Sequence, residues 1–494
     1  MSPAPFKTRF APSPTGLLHL GNIRTALFSF LLAQRRHGVF LLRIEDTDAA
    51  RGHEKYAHAL QEDMSWLGLA WQEGPQVGGA HGPYFQSQRG HLYQQYFDSL
   101  QGQGRAYRCF CSEHELAVAR KTQLAAGRPP RYSGRCRALA PADVTQRVAA
   151  GTHSTLRFHV ADGATVEFHD RVRGPQIFRT DDIGDFVIRR SDGTPAFFFC
   201  NAIDDALMGV ALVMRGEDHL TNTPRQILLL QALDLPVPEY AHISLVLGAD
   251  GAPLSKRLGS LTVQALRASG YFPLAIVNYL ARLGHTYATA MDSGSTGSAG
   301  ATASNANHFM DMAALAEHFD SARLGRSPAR YDDAQLLHWQ HEALRHATEA
   351  ELWQWMGVEV HTCVPPQART QFIEAIRSNI TVPADALKWA RIIFTEDWTP
   401  APDAASLGAT AGGDFFTSAR AALEQHGTDF KAVAEHIKAA TGAKGKALFM
   451  PLRAALTGEL DGPEMAKLLP LMGVERAHRR LEESEKSENR KEKS

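Results

Sequence analysis

The chain reads as an α/β protein: a parallel sheet in its first half, a mixed α and β insertion, and an all-helical C-terminal third. Three observations predict this. Val39-Phe40-Leu41-Leu42-Arg43-Ile44 is a nearly continuous apolar run behind a helical pattern, as expected of a strand buried on both faces of a parallel sheet. After Arg105 the pattern becomes less regular and carries turn pairs such as Asp162-Gly163 and Asp192-Gly193. From about Pro328 the apolar spacing is helical almost throughout.

The elements follow in order. Lys7 to Phe10 is a short β-prone start, and Pro12, Pro14 and Gly16 punctuate a loop behind it. The spacing of Ile23, Ala26, Leu27, Phe30 and Leu31 predicts a helix from about His19 to His37. Gly38 stands where a left-handed cap would end that helix. The strand after it delivers Glu45-Asp46-Thr47-Asp48 at its carboxyl end, where open α/β sheets place ligands. Helical patterns run from Glu54 to Trp66 and from Gln88 to Gln101. Asn201 to Arg215 reads as a return to the sheet, with the longest apolar run, Ala206 to Met214, as a buried strand or core segment. Thr223-Pro224 opens another helix. Residues 292–306 are small, polar and aperiodic, as in a flexible loop or linker. Ala386 to Phe394 and Thr417 to Gln425 are helical segments of the last third. The tail from Glu482 to Ser494 has mixed charge and no apolar anchors, which predicts disorder.

Composition narrows the function classes. At 44% apolar and 21% charged, with a net charge of −1, no global field draws the protein to a polyanion or a membrane. A local patch is available: Arg105 to Arg190 holds 15 Arg and Lys against 9 Asp and Glu. Five cysteines in 494 residues are too few for a disulfide framework and suit a reducing, cytoplasmic setting. No apolar run approaches the length of a membrane span.

Two separated stretches carry phosphate chemistry. His19 at a helix start, behind the Pro12-Ser13-Pro14-Thr15-Gly16 loop, sits where amide groups and the helix dipole already favour anions; a lone His there can also serve simply as a cap. Lys256, in a loop after Gly251, can swing toward a phosphate and meet charge as it builds up, or be a solvated surface lysine. Arg9, Arg215 and Glu45 offer two cations and one acid, the set a dicarboxylic amino acid requires; Arg9 and Glu45 could equally form an ordinary ion pair near the sheet edge. Cys109-Phe110-Cys111 and Cys136, with 24 residues between the last two, are spaced either for a structural zinc site or as three reduced thiols.

Five blocks in order resemble the bacterial glutamyl-tRNA synthetases of class I. They are Arg9-Phe10-Ala11-Pro12-Ser13-Pro14-Thr15-Gly16, His19-Leu20-Gly21-Asn22, Arg43-Ile44-Glu45-Asp46-Thr47-Asp48, Arg215-Gly216-Glu217-Asp218-His219 and Leu254-Ser255-Lys256-Arg257. The resemblance covers Arg9 to about Glu483. It implies a Rossmann-like catalytic domain in two halves (1–108 and 197–245), split by an insertion that holds the tRNA acceptor end (109–196). It further implies a stem-contact region (246–327), a helical anticodon-binding region (328–481) and a free tail (482–494). Arg120, Lys121, Arg128, Arg131, Arg135 and Arg137 lie in the acceptor-end insertion. Gly445-Lys446-Ala447-Leu448-Phe449-Met450-Pro451-Leu452-Arg453 falls in the anticodon part.

By the same resemblance, ATP with Mg²⁺ is held by Pro12, Ser13, Pro14, Thr15, Gly16, His19, Gly21, Asn22, Leu254, Ser255, Lys256 and Arg257. His19 and Lys256 act in catalysis. Glutamate is held by Arg9, Ala11, Ser13, Glu45, Phe197, Asn201 and Arg215. Zinc is held by Cys109, Cys111, Cys136 and Tyr132. Four positions depart from the family pattern: Asn22 replaces a second His, Pro253 an earlier Lys, Phe197 a Tyr, and Ala138 a His. The implied activity is ATP-dependent attachment of glutamate to tRNA(Glu) by a cytoplasmic monomer that binds tRNA before it activates the amino acid. A relative charging tRNA(Gln) as well, a base-modifying paralogue and a non-catalytic tRNA binder are the alternatives. The first charges a wider tRNA set, and the second lacks the helical C-terminal third.

Overall fold

The computed structural model describes residues 5–47, 54–127, 130–248, 250–254, 261–287, 308–396, 399–408 and 412–491. Asp48, Arg128, Ser255, Lys256, Arg257 and the small-residue stretch 292–306 lie outside these. The chain divides into two compact units. One holds residues 1–267 and 276–335, the other 268–275 and 336–494.

Among the described residues, nine strands build the two larger sheets of the first unit: β1 (Lys7–Phe10), β2 (Val39–Leu42), β3 (Ala106–Cys109), β4 (Thr155–Phe158), β5 (Thr165–Asp170), β6 (Gly174–Arg179), β7 (Phe186–Arg189), β8 (Leu212–Gly216) and β9 (Glu239–Ile243). The main sheet runs β2-β1-β8-β9-β5-β6. Its pairings are parallel except at the end, where β5 and β6 form an antiparallel ribbon. β3, β4 and β7 make a separate antiparallel sheet. The strands of the 109–196 segment are thus shared: β4 and β7 belong to the small sheet, while β5 and β6 extend the main one.

α1 (Leu20–Arg35) follows β1 and buries the predicted Ile23, Ala26, Leu27, Phe30 and Leu31. Its end differs from expectation. His37, not Gly38, takes the left-handed conformation, with φ 48°. Gly38 is needed for closeness: a Cβ there would stand 2.1 Å from the Phe6 carbonyl oxygen, where Val39 N donates to that oxygen at 2.9 Å.

Asn201 to Arg215 is also corrected. Its first half is the end of a helix, Phe197–Leu207, and only Leu212–Gly216 is strand. The apolar run Ala206 to Met214 therefore crosses a helix end, a turn and a strand. Gly209, at φ 67°, makes that turn.

The second unit is helical, around a core that includes Phe372, Ile376, Trp389, Phe416 and Leu452. The tail is a correction too, since a helix spans Val474–Lys491. Buried polar anchors explain it. Arg480 donates to the carbonyls of Leu456 at 2.5 Å and Ile392 at 2.6 Å, satisfying orphan carbonyls at the ends of two other helices. Farther along, Glu485 pairs with Arg420 at 2.7 Å and accepts from Thr417 at 3.0 Å. Among the described residues, no helix is long and apolar enough to cross a membrane.

Because the clash at Gly38 is with backbone, the neighbour cannot rotate away. Gly38→Ala is expected to cost about 1–3 kcal/mol, read as a lower urea midpoint with unchanged slope.

Candidate active site

The carboxyl ends of β1, β2 and β8 open into a cavity of about 580 Å³, a size suited to a small ligand. The β1–α1 loop forms one wall, α1 begins at its rim, and the helix Phe197–Leu207 forms another side. Most predicted nucleotide and amino-acid residues meet here: Arg9, Ala11, Pro12, Ser13, Thr15, Gly16, His19, Gly21, Asn22, Glu45, Phe197, Asn201, Arg215 and Leu254 all line it. Pro14, within the loop, is buried and does not line the cavity.

His19 is the N-cap of α1. Its Nδ1 accepts from the Gly21 backbone N–H at 3.2 Å, so in the neutral ring the proton belongs to Nε2. The capping role and a phosphate-facing role are therefore compatible in one side chain.

Arg9 and Glu45 do not pair with each other. Arg9 Nε lies 3.2 Å from Asp205 Oδ1, and its Nη1 donates to the Met214 carbonyl at 3.2 Å. Arg43 Nη1 reaches the same Asp205 oxygen at 2.8 Å, and its Nη2 lies 3.3 Å from Glu45 Oε1. Asn201 closes the ring, donating from Nδ2 to Glu45 and accepting from Arg9 at 3.5 Å. A neighbouring acid, Asp204, is held by Arg89 at 2.7 Å, Tyr93 at 2.7 Å and Gln86 at 2.8 Å.

These partners set the charges. Burial raises the Glu45 carboxyl, and although Arg43 and Arg9 oppose it, the group is pushed up to about 7. Burial also works against ionised Asp205, but the Arg9 and Arg43 charges win and hold it below the usual carboxylate range. Arg215 differs: burial pushes it down to about 10. Among the described residues, no carboxylate lies within ion-pair distance of it. Its partners are neutral: His242 at 3.1 Å, Thr223 at 2.8 Å and Gln226 at 2.7 Å. Phe197 stacks on His219 at 5.4 Å between ring centres, at the cavity's edge.

Sequence reasoning missed Asp204, Asp205, His242 and Arg24 as parts of this site. Two adjacent carboxylates inside the apolar run Phe197–Leu207 were a usable signal, since buried charges demand partners. Arg24 lines the cavity and spends its donors on the carbonyls of Ser244 and, at 3.1 Å, Leu283.

Away from the cavity, the sulfurs of Cys109, Cys111 and Cys136 all lie within 4.8 Å of one another. The Tyr132 hydroxyl stands 3.4 Å from Cys109 Sγ and 3.5 Å from Cys111 Sγ, and accepts from the Cys136 N–H at 2.9 Å. Three soft donors and one oxygen thus converge on a single point. Arg120, Lys121, Arg131, Arg135 and Arg137, in the same stretch of chain, are exposed. Two of these are already engaged with acids: Arg135 with Glu115 at 2.8 Å, and Arg137 with Asp162 and Asp185 at 3.8 Å each.

The family pattern of class I tRNA synthetases (E and Q), catalytic domain, matches residues 5–338, and that of the anticodon binding domain matches 334–484. A relative named glutamate–tRNA ligase 2 from Nitrosococcus oceani is 56% identical over 98% of both chains. Another, of the same name, from Alkalilimnicola ehrlichii is 52% identical over 98% of both. The crystal structure of a glutamate tRNA ligase from Elizabethkingia meningosepticum, in complex with its amino acid, superposes with a TM-score of 0.85 at 26% identity, covering 97% of this chain and 99% of that one. With a buried cation and acid pair at the carboxyl edge of a parallel sheet, beside a helix start fit for phosphate, the chain belongs to the class I glutamate–tRNA ligase family.

Proposed function

We propose that this protein joins L-glutamate to tRNA(Glu) in two steps, the first of which consumes ATP. The observation that carries the reading is Arg215, a buried guanidinium without a carboxylate partner among the described residues, in one cavity with the acid Glu45. A cation kept uncompensated in low dielectric is a site for an anion. Glutamate supplies a carboxylate for it and an ammonium for Glu45. A neutral amide at that guanidinium would leave its charge unmet, which disfavours glutamine.

In the first step an oxygen of the α-carboxylate attacks the α-phosphorus of ATP. The bond to the bridging oxygen breaks, leaving glutamyl-adenylate and pyrophosphate. In the second a terminal ribose hydroxyl of the tRNA attacks the activated carbonyl, and AMP leaves. No side-chain nucleophile is needed; positioning and charge stabilisation do the work. The β1–α1 loop and the start of α1 receive the nucleotide, His19 donating through Nε2. Lys256 and Arg257 supply the opposing cationic contacts, and the Ser255 hydroxyl a neutral donor. ATP enters as its Mg²⁺ complex. Phe197 contributes its ring face alone to the glutamate pocket.

The exposed basic residues around Cys109–Arg137 are assigned to the tRNA acceptor end, and the helical second unit to the anticodon. The sulfurs of Cys109, Cys111 and Cys136 with the Tyr132 oxygen suit a structural zinc, which would tie β3 to the 132–136 loop and do no chemistry.

Charging assays on purified tRNA(Glu) and tRNA(Gln), with ATP, Mg²⁺ and labelled glutamate, test the main reading. Charging of tRNA(Glu) alone is expected, with Lys256→Ala losing about 10²–10³-fold in kcat. Charging of tRNA(Gln), or of neither, would overturn the assignment.

Glu45 must be ionised to take an ammonium, and in the free enzyme it is held at about 7. Below that pH it is protonated, so kcat/KM for glutamate is expected to fall as pH drops from 8 toward ~6, about tenfold per unit once well below 7. The bound ammonium favours the ionised form, so kcat at saturating glutamate should stay flatter across the same range.

Elemental analysis of protein purified without chelator is expected to find about one zinc per chain, with Cys111→Ser and Cys136→Ser losing it. Metal-free protein of full activity would remove the zinc assignment.

A further inference from the structure

The parallel register of β8 and β9 sets Arg215 beside His242, and β5 brings Asp170 to the far side of the same imidazole. Arg215 Nε lies 3.1 Å from His242 Nε2, and Thr223 Oγ1 lies 3.1 Å from that same nitrogen. Arg215 Nη2 donates to Thr223 Oγ1 at 2.8 Å, which turns the hydroxyl proton toward His242. His242 Nε2 therefore faces two donors and must be an acceptor. The ring proton sits on Nδ1, 2.6 Å from Asp170 Oδ2. Burial keeps the ring neutral, lowering its pKa against the raising effect of Asp170.

Asp170 is fully buried and has no freedom to turn. Its Oδ1 accepts from the backbone N–H groups of Val172 at 2.9 Å and Arg173 at 2.7 Å, the His242 backbone N–H reaches Oδ1 at 3.2 Å and Oδ2 at 3.1 Å, and Oδ2 also takes the imidazole. The Tyr240 ring lies under the Arg215 guanidinium, 5.4 Å from its carbon, and Gln226 takes a further donor at 2.7 Å.

We propose that His242 and Asp170 are positioning residues for glutamate: the neutral imidazole, locked in its Nδ1–H tautomer by Asp170, fixes the plane of Arg215 without cancelling its charge. A carboxylate at the same place would orient the guanidinium equally well and neutralise it. That contrast is built into this cavity, where Arg9 is held directly by Asp205 at 3.2 Å. The proposal rests on the reading of Arg215 as a contact for a glutamate carboxylate, and deepens it.

Asp170→Asn is the sharpest variant. The backbone N–H groups claim the amide oxygen, so the amide NH₂ faces His242 Nδ1 and forces the ring proton onto Nε2, against Arg215 Nε–H. A single wrong tautomer of this kind is costly in other enzymes with an Asp–His pair. His242→Leu removes the acceptor outright, and His242→Gln returns an oxygen to it. With full-length protein and tRNA(Glu), Asp170→Asn and His242→Leu are expected to raise KM for glutamate by about tenfold or more. Their kcat and KM for ATP should stay within about twofold of wild type, and His242→Gln should recover most of the loss. Nitrogen-15 spectra should show His242 as the Nδ1–H tautomer in wild type and Nε2–H in Asp170→Asn.

Arg215→Ala separates the two layers. If it raises KM for glutamate while Asp170→Asn and His242→Leu leave KM unchanged, the positioning role is wrong and the Arg215 reading stands. If Arg215→Ala itself leaves KM unchanged, the glutamate contact is wrong and the proposal falls with it. Should His242→Leu fail to fold, the near-isosteric Asp170→Asn and the wild-type spectrum still decide; a wild-type ring protonated at Nε2 overturns the proposal.

Discussion

Asp205 accepts from two guanidiniums that arrive on adjacent strands, Arg9 from β1 and Arg43 just beyond β2. All three groups are buried, so each charge is tolerable only because the others are present. Removing one partner of such a set typically costs about 3–5 kcal/mol, because it strands a charge in low dielectric. The constraint fixes more than stability. It sets the helix Phe197–Leu207 against the sheet edge, which in turn places Asn201 on Glu45 and aims Phe197 at the cavity. Asp204, one residue earlier, does the same for the opposite side by holding Arg89, Tyr93 and Gln86.

The cavity then treats two of the cations lining it differently. Arg9 comes with its own carboxylate and contributes shape and donors more than net charge. Arg215 is surrounded by neutral acceptors, and burial, the largest cause, pushes it down to about 10, still charged at neutral pH. Glu45 is the mirror case, an acid pushed up to about 7 whose ionised form gains from a bound ammonium. Both groups are held in states that a zwitterionic dicarboxylate relieves. Binding energy is thereby reserved for a ligand with the right charges in the right places.

Sequence made part of this legible, for identifiable reasons. The β1–α1 loop, the helix behind it and Glu45 at a strand end announce themselves because punctuation by Pro and Gly, helical periodicity and the apolar strand all agree locally. What stayed hidden depends on long-range pairing. Asp205 and Arg9 are 196 positions apart, and Asp170 and His242 are 72 apart. Nothing local marks either as a partner. Asn201 to Leu207, the second part of a helix, reads as part of a strand in sequence because the partners of its buried acids Asp204 and Asp205 lie far along the chain. Glu482 onward, the end of the C-terminal helix, reads as a free tail in sequence because the anchors of that helix are arginine and glutamate side chains, and only tertiary structure shows that Arg480 is spent on helix-end carbonyls and Glu485 on Arg420.

The position of Asp170 changes how the 109–196 segment is understood. By sequence it is an insertion interrupting the catalytic sheet, with its own function at the acceptor end. By hydrogen bonding, β5 and β6 continue that sheet beyond β9. The turn after β5 is braced on the same strands, since Arg173 donates to the His242 carbonyl at 3.3 Å and pairs with Glu217. The segment that carries the basic surface residues therefore also supplies the carboxylate standing behind His242. A change in the β5–β6 ribbon would reach Arg215 through two hydrogen bonds and one imidazole, without passing through the nucleotide loop. Boundaries along the chain and boundaries of mechanical coupling are different here, and the cavity beside Arg215 lies on the shared side.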